Sequence, residues 1–72
     1  MEYGELCKKF GIKLKYYRLS KNFSQDELAE KIGVDSHYIS DIECGRRNIT
    51  FKTLNKIANS LNTDISKFFI FE

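Results

Sequence analysis

SQDELAEKIGVDSHYISDIECGRRN, residues 24–48, is the stretch that decides the fold of this 72-residue chain. Ser24 and Glu27 form a Ser-x-x-Glu capping box, in which each side chain satisfies the other residue's backbone amide and a helix starts. Gly33 stops that helix. Asp35 offers a fresh N-cap for a second one, leaving about three residues between the two, the spacing of a helix-turn-helix. The second helix is predicted over about residues 36–44 with Ile39 and Ile42 facing inward. Burying those two turns Ser40, Cys44, His37 and Asp41 outward, with Ser36 at the edge of that face and Tyr38 on its flank.

Outward from this stretch, helical periodicity is the dominant signal. Upstream, Tyr3, Leu6, Cys7, Phe10, Leu14 and Tyr17 share one face of a first helix predicted over about residues 5–21. Asn22, which tolerates the left-handed conformation, ends it. Helix two covers about residues 25–32 with Leu28, Ala29 and Ile32 inward. Beyond the loop GRRNI, Thr50 caps a fourth helix whose stripe is Phe51, Leu54, Ile57, Ala58 and Leu61, and Asp64 caps a short fifth holding Ile65, Phe68 and Phe69. With no repeats, linkers or low-complexity tracts, residues 1–72 form one all-α domain of five helices. That is near the lower size at which a core holds without staples or a partner subunit.

Composition narrows the function classes. No apolar run approaches the roughly 18 residues of a membrane span, and Met1 is followed by Glu2 and Glu5 where a signal peptide would be basic and then apolar. A cytoplasmic, nucleoid-associated protein with no membrane partner is expected. Cys7 and Cys44 are far apart and belong to no Cys-x-x-Cys or Cys/His cluster, so neither a zinc site nor a structural disulfide is expected. His37, the only histidine, has no second ligand at suitable spacing. Asp41 and Glu43 diverge on their helix, no nucleophile stands beside a base, and no glycine loop cradles phosphate, which argues against an enzyme, a cofactor and a small-molecule ligand.

The net charge of +2 hides an uneven distribution: +4 over residues 1–23, −5 over residues 24–45 and +3 over residues 46–72. Any attraction to phosphate must therefore come from segments flanking the two-helix motif, chiefly Arg46, Arg47 and the lysines of helix one. The outward face of helix three is polar and of a size that enters the major groove of DNA. There Ser bonds to several bases, His donates or accepts, and Asp accepts from the cytosine amino group. The same pattern also describes an ordinary solvated face; cap, turn and basic loop together favour the DNA reading.

The runs SQDELAEKIGV, HYISDIECGRRN and TLNKIANSLN resemble the XRE-type helix-turn-helix family, the group of phage Cro proteins and lambda-type repressors, over about residues 10–69. The resemblance implies a lambda-repressor-like fold whose third helix enters the major groove. It implies base contacts from Ser36, His37 and Asp41, and backbone contacts from Gln25, Tyr38, Ser40, Arg46, Arg47 and Asn48. It also implies a structural ion pair between Arg18, late in helix one, and Glu43, near the end of helix three. Residues 38–50 are similar to the controller proteins of restriction-modification systems in their YIS-x-IE-x-x-x-RN-[IVL]-[ST] run. Departures exist: Asp41 stands where a neutral or basic residue is usual, Cys44 where arginine is frequent, and Ser36 and His37 where the controllers carry arginine and threonine.

Two apolar features exceed what one small core requires. Ile12, Tyr16 and Leu19 form a second stripe on helix one, and the chain closes with Phe68, Phe69, Ile70 and Phe71. A homodimer sealed by residues 64–72, with Ile65, Phe68, Phe69, Ile70 and Phe71 at the interface, is the expected use of them. Alternatives are a tail folded back on Ile12 and Tyr16, or a short terminal strand. The expected function is a dimeric transcription regulator on a palindromic double-stranded DNA operator. The competing class is an antitoxin or other protein-interaction module that uses the tail on a partner.

Overall fold

The computed structural model describes residues 1–71. Four α-helices follow one another, α1 (Tyr3–Ser20), α2 (Gln25–Ile32), α3 (Ser36–Glu43) and α4 (Phe51–Ser60), and a 3-10 helix over Ile65–Phe69 closes the order. Caps set these bounds. Ser24 accepts from the Glu27 amide while the Glu27 carboxylate accepts from the Ser24 amide, completing the expected box. Asp35, Thr50 and Asp64 cap α3, α4 and the 3-10 helix through their side chains.

The four α-helices all stop in the same way. A residue at positive φ follows each one (Asn22, Gly33, Gly45 and Asn62), and the amide after it reaches back to close the last turn, as Arg46 does to the Asp41 carbonyl at 2.9 Å. This is the Schellman arrangement, which satisfies carbonyls that the helix leaves free.

The core gathers Phe10 and Leu14 from α1, the inner residues of α2 and α3, and Leu54, Ile57, Ala58 and Leu61 around α4. α2 and α3 pack on each other, α1 lies against α3, and α4 closes α2 from the other side. Among the described residues no buried side-chain nitrogen or oxygen lacks a partner, and no helix is long and apolar enough to cross a membrane.

Several expectations need correction. The fifth helix is a 3-10 helix of five residues, Ile65–Phe69, in which the Lys67 amide bonds three residues back to the Asp64 carbonyl where an α ladder would bond four back. Phe68 is wholly buried in its own chain, with its ring 5.8 Å from Phe10 and edge-on to Tyr17 at 5.5 Å, so it belongs to the core and not to a dimer interface. Phe69 packs at a tilt on Phe10 and Phe71 lies edge-on to Phe69, so the described tail folds back on α1 at Phe10, while Ile12 and Tyr16 stay largely exposed. The described tail forms no strand, and Glu72, the last residue of the expected 64–72 segment, lies outside the described residues.

Tyr3 and Leu6 were expected inward but stand exposed, and Cys7 is half-buried. Phe51, in the first turn of α4, is 88% exposed although its position in the stripe predicts it inward.

Candidate nucleic-acid interface

α3 is held in place by its last residue. The Glu43 carboxylate takes a two-pronged contact from Arg18, Nε to Oε2 at 2.6 Å and Nη2 to Oε1 at 3.0 Å, and both side chains are at least nine-tenths buried. The third Arg18 donor, Nη1, reaches the Phe23 carbonyl at 2.7 Å. The expected ion pair is therefore present, and it ties α1 to the end of α3 and to the loop that opens α2. A planar guanidinium suits this fork, which lysine could not reproduce.

Close approach makes the pair possible. A Cβ built on Gly11 would stand 2.5 Å from the carbonyl oxygens of both Ile42 and Glu43, so only glycine lets α1 lie directly on the final turn of α3. Gly45, two residues beyond Glu43, makes a similar approach about one turn earlier on α1, where its Cβ would meet the Lys8 backbone at 2.9 Å and its φ is +75°. Neither role was read from the sequence, although an isolated glycine within the apolar pattern of helix one was the available signal.

On the outer side of α3, His37 is almost fully exposed, Cys44 is exposed, and Ser36, Ser40 and Asp41 are half-buried. Asp35 orients His37 twice, accepting from its backbone N–H at 2.7 Å and lying 3.0 Å from its Nδ1. A carboxylate only accepts, so Nδ1 carries the proton and Nε2 points away as the free ring nitrogen. The His37 amide, then its ring, hold the Asp35 carboxyl below the ordinary aspartate range.

The expected backbone-contacting residues are mostly engaged with their neighbours. Arg46 Nη2 donates to Asp41 Oδ1 at 3.2 Å, and the Arg47 guanidinium lies 5.0 Å over the Tyr38 ring. Both loop cations are thereby drawn toward α3, and the Asp41 charge is partly offset where it faces outward. This pairing was absent from the sequence reading, which gave Asp41 to a base and Arg46 to a phosphate. Gln25, half-buried at the start of α2, donates from Nε2 to Glu43 Oε1 at 3.0 Å. Ser36 and Ser40 make no side-chain hydrogen bond among the described residues, and Asn48 is exposed. At the α2 start, the capping box uses the Ser24 and Glu27 amides, leaving those of Gln25 and Asp26 without an internal partner among the described residues.

Known proteins place this geometry. A helix-turn-helix family model matches residues 14–68. The HTH-type transcriptional regulator MJ0272 of Methanocaldococcus jannaschii is 42% identical over 60 residues, which are 83% of this chain and 91% of that protein. The control protein C.MunI of Mycoplasma is 40% identical over 62 residues, 85% of this chain and 84% of its own length. Among solved structures, the restriction-modification controller C.AhdI from Aeromonas hydrophila superposes with a TM-score of 0.83 at 32% identity, covering 86% of this chain and 94% of that one. The biofilm regulator SinR, solved in complex with DNA, superposes at 0.79 with 34% identity, covering 85% of this chain and 98% of that one. With most of its length matched by the family model and by relatives of similar size, the chain belongs to the helix-turn-helix family of transcriptional regulators.

Proposed function

We propose that this protein is a sequence-specific DNA-binding transcriptional regulator of the controller type, acting as a homodimer on a palindromic operator. The observation that carries the reading is the exposed polar face of α3, braced by Arg18 and Glu43, in a fold that superposes on SinR, whose structure is a complex with DNA. Ser36, His37 and Asp41 would read base edges from the major groove. His37 offers Nε2 to a base, because Asp35 occupies its other nitrogen. Gln25 and the free amides at the start of α2 would hold one phosphate, with Tyr38, Ser40, Arg46, Arg47 and Asn48 on the backbone across the groove.

Since Phe68 lies in the core, the proposed two-fold interface uses Ile65, Phe69, Ile70 and the outer edge of Phe71. Paired α3 helices about 34 Å apart then meet successive major grooves. Repression by occupying a promoter is the simplest outcome for a domain of this size, and a controller could also activate. Selection of binding sites from random duplex DNA tests the reading. A two-fold symmetric site should emerge, and its preference should relax in His37→Ala and Asp41→Ala, each good base contact being worth roughly 1 to 3 kcal/mol. Affinity should fall steeply with salt. Recovery of no preferred sequence, or variants that select the same site with the same affinity, would overturn the assignment.

A further inference from the structure

We infer that Glu43 is a positioning residue for DNA binding: through its bond to Gln25 it aims the amide that opens α2 at a phosphodiester oxygen. The inference rests on the DNA reading above and adds a second task for a carboxylate whose first task is the buried pair with Arg18.

The geometry carries the argument. Glu43 Oε1 accepts two hydrogen bonds, one from Arg18 Nη2 and one from Gln25 Nε2, both at 3.0 Å. A side-chain amide can present either end, but a carboxylate only accepts, so Glu43 takes an N–H and refuses the carbonyl oxygen. Rotating the Gln25 amide by half a turn would exchange a charge-assisted bond for an oxygen facing an oxygen. One orientation is thus selected, and the second Gln25 N–H remains free at a half-exposed position. The backbone beneath it is fixed by the same network, because Arg18 Nη1 holds the Phe23 carbonyl two residues earlier. Arg18, Phe23, Ser24 and Gln25 line one open depression at the start of α2. Arg18 also neutralises Glu43, so that the carboxylate orients the amide without repelling the phosphate that the amide is to meet.

Replacing Glu43 alone would leave Arg18 buried without its partner, which threatens the fold. The experiment therefore exchanges the whole pair for apolar residues, Arg18→Met with Glu43→Met, and combines this with Gln25→Ala. A buried pair replaced by apolar side chains of similar volume commonly keeps or raises stability. Affinity for the selected operator and for a random duplex is measured by fluorescence anisotropy at a temperature where circular dichroism shows each protein folded. If the methionine protein does not fold, Arg18→Leu with Glu43→Leu takes its place in the same cycle.

Gln25→Ala should weaken binding about tenfold on both duplexes with an unchanged salt slope, since a neutral amide releases no counterion. The methionine exchange should weaken binding by a similar factor, and adding Gln25→Ala to it should cost nothing further. Independent, additive losses would overturn the inference, as would a methionine protein that binds like the wild type or a Gln25→Ala protein of unaltered affinity. If the wild type binds no duplex at all, the proposed function itself fails, a result distinct from every one of these.

Discussion

Gly11→Ala is a substitution on which helix propensity and tertiary packing disagree in sign. Inside a helix, alanine is favoured over glycine by about 1 kcal/mol, so α1 considered alone predicts a stabilised protein. Packing predicts the reverse. The new methyl carbon would stand 2.5 Å from two backbone carbonyl oxygens at the end of α3, and neither is the tip of a movable side chain. An ordinary carbon–oxygen contact is nearer about 3.3 Å, so α1 must retreat by roughly 0.8 Å, enough to forfeit a quarter to a half of the dispersion attraction across that seam. Phe10 and Leu14 lie on the same side of α1 and are buried to 4% and 0% exposure, so the loss falls on the core as well as on the Arg18–Glu43 fork. Overpacking strain and weakened contacts together cost about 2–4 kcal/mol. After subtracting the propensity gain, the net destabilisation is about 1–3 kcal/mol, which lowers the melting temperature of a domain of this size by roughly 7–20 °C. Gly4→Ala is the internal control, because nothing lies within 4 Å of a Cβ at that position in the same helix. Thermal unfolding followed at 222 nm compares the three proteins. Gly4→Ala should match or exceed the wild type, and a Gly11→Ala protein that melts at or above the wild type would refute the packing argument.

Gly45→Ala should also destabilise, by about 1–3 kcal/mol, since it combines a positive φ with a clash against the Lys8 backbone; a urea midpoint equal to that of the wild type would contradict this. Phe68→Ala should cost about 3–5 kcal/mol, a large part of the roughly 4–11 kcal/mol available to a chain of this length, and a protein with an undiminished unfolding free energy would remove Phe68 from the core. Truncation after Lys67 would unfold the domain as well as any dimer, so Ile65→Glu with Ile70→Glu is the cleaner probe of association. These side chains are 37% and 56% exposed, and the doubly substituted protein should keep its helicity but sediment as a monomer; an unaltered sedimentation coefficient would exclude the proposed interface. Acid should loosen the caps. The Asp35 and Asp64 carboxyls are held below their ordinary range first by the backbone N–H groups of His37 and Ser66, and Glu27 by that of Ser24. Lowered in the folded state, they contribute stability that is complete above the unfolded values near about 4 and disappears as the pH falls through the folded ones. The His37 and Ser66 amide resonances should move over that window, and constant shifts would count against these caps.

How much of this was legible in the sequence varies with the range of the interaction. Ser24, Glu27, Asp35, Thr50 and Asp64 act on amides two or three residues away, and all of them cap where a local reading puts them. The bounds of α2 follow directly, as does the inward turn of Ile39 and Ile42. Arg18 and Glu43 lie 25 residues apart, and their pairing came from family resemblance because no local rule connects them. Asp41 with Arg46, and Tyr38 with Arg47, were assigned separately to DNA, although the first two share a hydrogen bond and the last two a cation–π contact. Short-range periodicity sets which face of a helix is apolar, but not how far along that face a neighbour extends. Tyr3, Leu6 and Phe51 were misplaced for that reason.

Capping and periodicity act within a few residues along the chain, and they suffice for the all-helical class, the two-helix motif at residues 24–48 and the polar face that its second helix presents. That Phe68 is core, that α1 meets the end of α3 at Gly11 and the turn beyond it at Gly45, and that Gln25 is held by the same carboxylate as Arg18 emerge only once the helices are packed together. Those facts depend on distances between segments far apart in the chain, where a few tenths of an ångström separate a contact from a clash.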